Sequence, residues 1–116
     1  MPAFIKLLGF LMTAYVLKQV GKRLDYVLDW RSGYLEPLET IIDDLGWEIP
    51  NSPDGKRDLR ITEQHHDFYR SWAEFSGGIP GKFYLVSSKV RTSRGRVLSQ
   101  SIVVRIAIVT ASKSGE

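Results

Sequence analysis

The chain has 116 residues, 43% hydrophobic and 25% charged, which is the size of one domain and matches a folded globular protein rather than a disordered one. Cysteine is absent, so disulfides, zinc–thiolate sites and thiol nucleophiles are excluded. The net charge of +3 hides a partition: residues 1–31 and 80–116 are basic, while 32–79 hold ten acidic side chains against four basic ones. Such segments can pair within one fold or head to tail between copies, and their order along the chain leaves both open.

Residues 3–31 are expected to form one long helix. Apolar residues dominate from Ala3 to Leu17, and no proline or turn cluster interrupts before Ser32-Gly33. At 100° per residue, Lys6 and Thr13 share a narrow polar stripe in the first half. In the second half that stripe turns apolar through Leu17, Val20, Leu24, Val27 and Leu28, opposite Lys18, Lys22, Asp25 and Asp29. Residues 1–17 are therefore expected to be an apolar half-helix embedded in a membrane or an assembly, carried by Phe4, Ile5, Leu7, Leu8, Phe10, Leu11, Met12, Tyr15 and Val16. Residues 18–116 are expected to form a single small α+β domain. The unbroken apolar run is shorter than a membrane span, which needs about twenty residues. If the helix does span, Lys18, Lys22 and Arg23 put the C-terminal domain on the cytoplasmic side. An apolar-then-amphipathic helix against a sheet resembles the architecture of type IV pilin-like subunits. The run stops at Lys18, however, and Ala14 stands where that family carries an acidic residue, so the family is not assigned.

Residues 34–45 are expected to be a second helix, with Ser32 as a cap, Pro37 in the first turn, and Leu35, Leu38, Ile41, Ile42 and Leu45 on one face before Gly46. Residues 50–57 read as a loop, followed by a short strand from Leu59 to Ile61. Thr62 suits the cap of a third helix over 63–75, with Phe68, Tyr69, Trp72 and Phe75 on one face. From Lys82 the pattern turns to strand: residues 82–91 and Arg96 to about Ala111 flank a turn at Ser93-Arg94-Gly95. The run Ile102 to Val109 is apolar on one face and nearly so on the other, which marks a central or covered strand. The fold class expected is thus α+β: a long N-terminal helix, two shorter helices and a small antiparallel sheet dominated by a C-terminal β-hairpin.

Chemistry is sparse. Glu63-x-His65-His66-Asp67 is the nearest approach to a metal site, but adjacent histidines on a helix diverge by about 100° and only one Glu-x-x-His pair is present. Gly77 to Lys82 lacks the first glycine and the hydroxyl residue of a phosphate loop. No catalytic residue, metal or cofactor is therefore expected. The basic hairpin, with Lys89, Arg91, Arg94 and Arg96, is a candidate contact for an anion or a partner. The reading reached is a non-enzymatic structural or assembly subunit of a larger complex, such as a virion, tail or secretion-type machine. Its partners are itself or other protein subunits, with membrane lipid beside them. The alternative is a module that binds nucleic acid or an anionic surface through the Arg-rich hairpin.

Overall fold

The structure, a computed structural model, describes residues 14–108. Seven strands make up its regular structure: β1 (Ala14–Lys18), β2 (Leu24–Asp29), β3 (Ile41–Glu48), β4 (Arg60–His66), β5 (Arg70–Ser76), β6 (Phe83–Thr92) and β7 (Val97–Ile106). They form two sheets, a four-stranded one in the order β1-β7-β6-β3 and a three-stranded one in the order β2-β5-β4. Every neighbouring pair is antiparallel except β1 and β7, which run parallel with Ala14 opposite Ile102.

The two sheets pack face to face because each strand places alternate side chains inward. The four-stranded sheet contributes Ile41, Trp47, Tyr84, Val86, Val90, Ile102, Val104 and Ile106 to the core, and the other contributes Leu28, Ala73 and Phe75. The Trp47 and Phe75 rings meet edge to face at 5.7 Å across the sheets. Trp30 and Leu59 close the core from the connecting segments.

This architecture overturns the α+β expectation: no helix occurs among the described residues. The long N-terminal helix is replaced, from Ala14 onward, by β1 and β2, joined through a turn in which Gly21 adopts φ +77°, a conformation glycine takes readily. The helical pattern misleads because Asp25 and Asp29 are four residues apart. That spacing shares a face in a helix and also in a strand, where Leu24, Tyr26 and Leu28 then point inward. Phe4, Ile5, Leu7, Leu8, Phe10, Leu11 and Met12 lie outside the described residues. No helix among the described residues is long and apolar enough to cross a membrane.

The second expected helix is a loop leading into β3. Gly46 does not end a helix; it sits at φ +109° where the β3–β6 register shifts, with its N–H donated to Asp44 Oδ1. The third expected helix is the β4–β5 hairpin, turned at Asp67, whose Oδ1 accepts the N–H groups of Tyr69 and Arg70 at 2.8 Å each. Local side-chain bonding of this kind competes with helix formation. β6 and β7 form a hairpin around Ser93–Gly95, but the sheet containing it is mixed, and β7 lies centrally in it between β1 and β6.

Candidate functional site

The outer face of the four-stranded sheet carries a contiguous apolar grid. Val16 and Lys18 point inward on β1, so Tyr15 and Leu17 point outward, and Tyr84 and Val86 likewise leave Phe83 and Leu85 outside on β6. The register aligns these residues in two rows across three strands. One row is Tyr15–Val103–Leu85 and the next is Leu17–Arg105–Phe83. Tyr15 and Leu17 are 58% and 52% exposed. The rings of Tyr15 and Phe83 meet edge to face at 6.0 Å over the intervening strand. Scattered apolar side chains on a surface need no explanation; here they adjoin on one face, which makes that face the candidate contact surface.

Arg105 stands within this grid. Its guanidinium lies 5.3 Å from the Phe83 ring centroid, its Nε is buried without a hydrogen-bond partner, and no carboxylate pairs with it among the described residues. An arginine among aromatic and aliphatic neighbours has the composition of an interface centre, and its buried Nε–H has no acceptor among the described residues. The patch is bounded by polar groups. Ser87 and Ser101 hydroxyls lie 2.9 Å apart, and Asn51 bonds the free edge of β6, donating to Phe83 O at 2.8 Å and accepting from Leu85 N at 3.1 Å. The Asn51 side chain thus covers backbone that would otherwise be an open edge.

The basic hairpin residues do not gather into one cluster. Lys89 and Arg91 stand on the outer face of β6, with Arg91 in register with Asp43. Arg94 donates to Glu36 Oε1 at 2.7 Å and to Pro37 O at 2.8 Å. Arg96 forks onto Glu39, which is buried and whose carboxyl is held well below the usual carboxylate range, chiefly by that arginine. The acidic middle and basic C-terminal segments therefore meet within one chain at these residues. Of the apolar N-terminal candidates, Tyr15 is on the grid and Val16 packs against the core.

Two further charged groups are structural. Asp58 is buried and held at about 2 by the Tyr84 hydroxyl, with the Asp54 N–H and Lys82 also donating to it. Lys18 is buried at the end of β1, and desolvation, then repulsion from Arg60, lowers its pKa. His65 stacks on Trp72 at 4.7 Å on the outer face of the smaller sheet, while His66 points toward the other side of β4 and its Nδ1 lies 3.0 Å from Asp67 O. No group of three or more His, Asp or Glu among the described residues is placed to hold a metal ion.

Leu17, Phe83, Leu85, Val103 and Arg105 are brought together only by strand register, so local spacing does not single them out. The one signal in the sequence is that Phe83-Tyr84-Leu85-Val86 is apolar at odd and even positions alike, which in a strand means that both faces are apolar.

Residues 18–105 match the family Gp77, described as "Podophage GP4 fiber-tail adaptor protein gp77". No curated protein matches the chain. Among solved structures, the chain is similar to the solution structure of the PKD domain from KIAA 1837 protein, at 20% identity and a TM-score of 0.54. That similarity covers 89% of this chain and 87% of the other, and it is a likeness of fold: an immunoglobulin-like, PKD-like sandwich.

Proposed function

We propose a role from one premise: the chain belongs to the podophage fiber-tail adaptor family gp77, and is thus a phage structural subunit. In this reading it is non-enzymatic and joins other phage protein subunits through the outer face of its four-stranded sheet. The observation that carries the reading is the grid of Tyr15, Leu17, Phe83, Leu85 and Val103 around Arg105, whose guanidinium lacks a carboxylate partner among the described residues. A partner surface that fits it is apolar and offers one carboxylate or a set of carbonyls to the arginine. As part of the same proposal, the apolar residues Phe4, Ile5, Leu7, Leu8, Phe10, Leu11 and Met12, which precede Tyr15 in sequence, extend the contact.

The test is recovery of variants in assembled tails. Leu17→Asp and Phe83→Asp alter half-exposed strand side chains, and the second also removes the ring that Tyr15 and Arg105 meet, so the isolated chain should stay folded and lose about 1–2 kcal/mol. Their recovery in tails should fall at least tenfold, because each new carboxylate stands beside Arg105, occupies it in place of a partner's acceptor and removes apolar contact. Wild-type recovery of both variants would sink the reading. The nucleic-acid alternative loses support because Arg94 and Arg96 are already engaged by Glu36 and Glu39.

A further inference from the structure

One end of the sandwich displays a second apolar feature, distinct from the sheet face. Leu38 is 94% exposed and adopts φ +69°, a left-handed conformation that costs a residue with a side chain and is taken most readily by glycine. Nothing loosens the loop that holds it. Glu36 N donates to Glu39 Oε1 at 2.9 Å, Arg94 grips Glu36 and Pro37 O, and Arg96 grips Glu39 and Tyr34 O. Beyond Leu38, Thr40 and Ser93 exchange two hydrogen bonds, N–H to Oγ at 3.0 Å and N–H to carbonyl at 2.7 Å. The bracing fixes an unfavourable backbone in order to present a side chain that packs against almost nothing in its own chain.

Its surroundings mix apolar and charged groups. A shallow recess between Leu38 and Tyr69 also takes in Arg31, Glu36 and Glu39, and a second, more apolar one is lined by Ile41, Ile42 and Phe68 beside His66 and Asp67, with Phe68 67% exposed. Ile41 N donates to Phe68 O at 2.8 Å, which ties the two loops together. Four arginines bordering this end hold carboxylates: Arg31 with Asp29, Arg70 with Asp67, Arg94 with Glu36, and Arg96 with Glu39. A loop that enters lipid is flanked by free basic groups for anionic headgroups; here four arginines hold carboxylates, and Arg91, on the outer face of β6 beside Thr92, has no ion pair among the described residues.

We propose that this end of the sandwich is a second docking site, in which Leu38 inserts as an anchor into an apolar, uncharged recess on another protein subunit of the tail. The proposal rests on the reading of the chain as a tail subunit. It adds that the two contact surfaces lie at opposite ends of the β6–β7 hairpin. Leu85 belongs to the sheet-face grid and Thr92 bonds the Leu38 loop through Glu39; seven residues of strand put them about 23 Å apart. A chain with rigidly spaced contacts at both ends can bridge two neighbours.

The chain contains no cysteine, so Leu38→Cys, Phe83→Cys and Lys56→Cys each introduce a single thiol, the last on an exposed loop outside both surfaces. Reaction of each full-length variant with a soluble maleimide is timed in the isolated chain and in assembled tails. The expected result is at least tenfold slowing at position 38 in tails, with position 56 unchanged. Equal reactivity at position 38 in both states, with position 83 protected, overturns this proposal alone; equal reactivity at 38 and 83 overturns the tail-contact reading as well. Protection at position 56 too overturns the assignment of a discrete site. Leu38→Asn, whose side chain tolerates a left-handed backbone, keeps the isolated chain folded and should lower recovery in tails at least tenfold. Wild-type recovery of that variant overturns the proposal. So does either of two results that it abolishes: binding of the wild-type chain to phosphatidylcholine vesicles, or dimerisation of the isolated chain, since each would assign Leu38 a different occupant.

Discussion

Arg96 and Glu39 are joined by two parallel hydrogen bonds, Nε to Oε2 at 2.9 Å and Nη2 to Oε1 at 2.6 Å, with the carboxylate buried and the guanidinium partly open to solvent. The Thr92 hydroxyl completes the shell of the carboxylate. Fifty-seven residues separate the two partners in sequence, so the pair fastens the 34–40 loop to the hairpin. Removing one member leaves the other without its counter-charge. Glu39→Gln should lower stability by about 2–3 kcal/mol, toward the low side of a broken buried pair because Arg96 retains solvent. Urea unfolding followed by tryptophan fluorescence measures this, and an unchanged midpoint contradicts it.

Acid should unfold the chain through its low-pKa carboxyls. Glu39 is held low chiefly by the Arg96 hydrogen bonds, and Asp58, at about 2, chiefly by the Tyr84 hydroxyl. A native pKa below the unfolded value, which is about 4 for these groups, means that the unfolded chain takes up protons first. Their stabilisation is therefore complete above about pH 5 and drains as pH falls toward 2. Urea midpoints at pH 7, 4 and 2.5 should decline in that order; a flat series would show that neither carboxyl contributes.

Tyr84 links two segments through its hydroxyl, which donates to Asp58 Oδ1 and accepts the Ile79 N–H at 3.0 Å. Tyr84→Phe preserves the ring in the core but leaves the Ile79 N–H without its acceptor and takes one donor from Asp58, which keeps Lys82 and the Asp54 N–H, at a cost of about 1–3 kcal/mol. Thermal unfolding at pH 7 reads the loss. The same substitution should also flatten part of the acid dependence, because the Asp58 carboxyl loses its main source of depression.

Trp30 and Trp72 should respond differently to the same change. Trp30 is fully buried and donates Nε1–H to Ser71 Oγ at 3.0 Å, while Trp72 lies partly exposed beneath His65 and Arg70. Trp30→Phe removes a buried bond and leaves a void, for about 2–3 kcal/mol. Trp72→Phe should cost about 1 kcal/mol or less. Comparable losses for the two would contradict the placement of Trp72 on the outer face.

The helical readings fail at particular residues for one reason. Apolar positions at Leu24, Val27 and Leu28 satisfy a helical spacing, yet Leu24, Tyr26 and Leu28 satisfy a strand, and six residues are too few to separate the two periods. Phe68, Tyr69, Trp72 and Phe75 likewise line a helix on paper, while in the hairpin Phe75 enters the core and Trp72 turns outward. Gly21 and the Asp67 side chain are the local signals that break these helices, each at a turn. The 83–106 hairpin is legible because its alternation runs over ten-residue strands around Ser93-Arg94-Gly95.

The sequence by itself determined a cysteine-free chain, a division of charge into basic ends and an acidic middle, and a C-terminal hairpin, since composition and long alternation are properties of the chain alone. Only the tertiary structure decided which charges meet, which apolar residues stay outside, and that Leu38 stands alone on a braced loop. Those outcomes depend on register between strands and on contacts such as Glu39 with Arg96, whose partners lie too far apart along the chain for any local spacing to encode them.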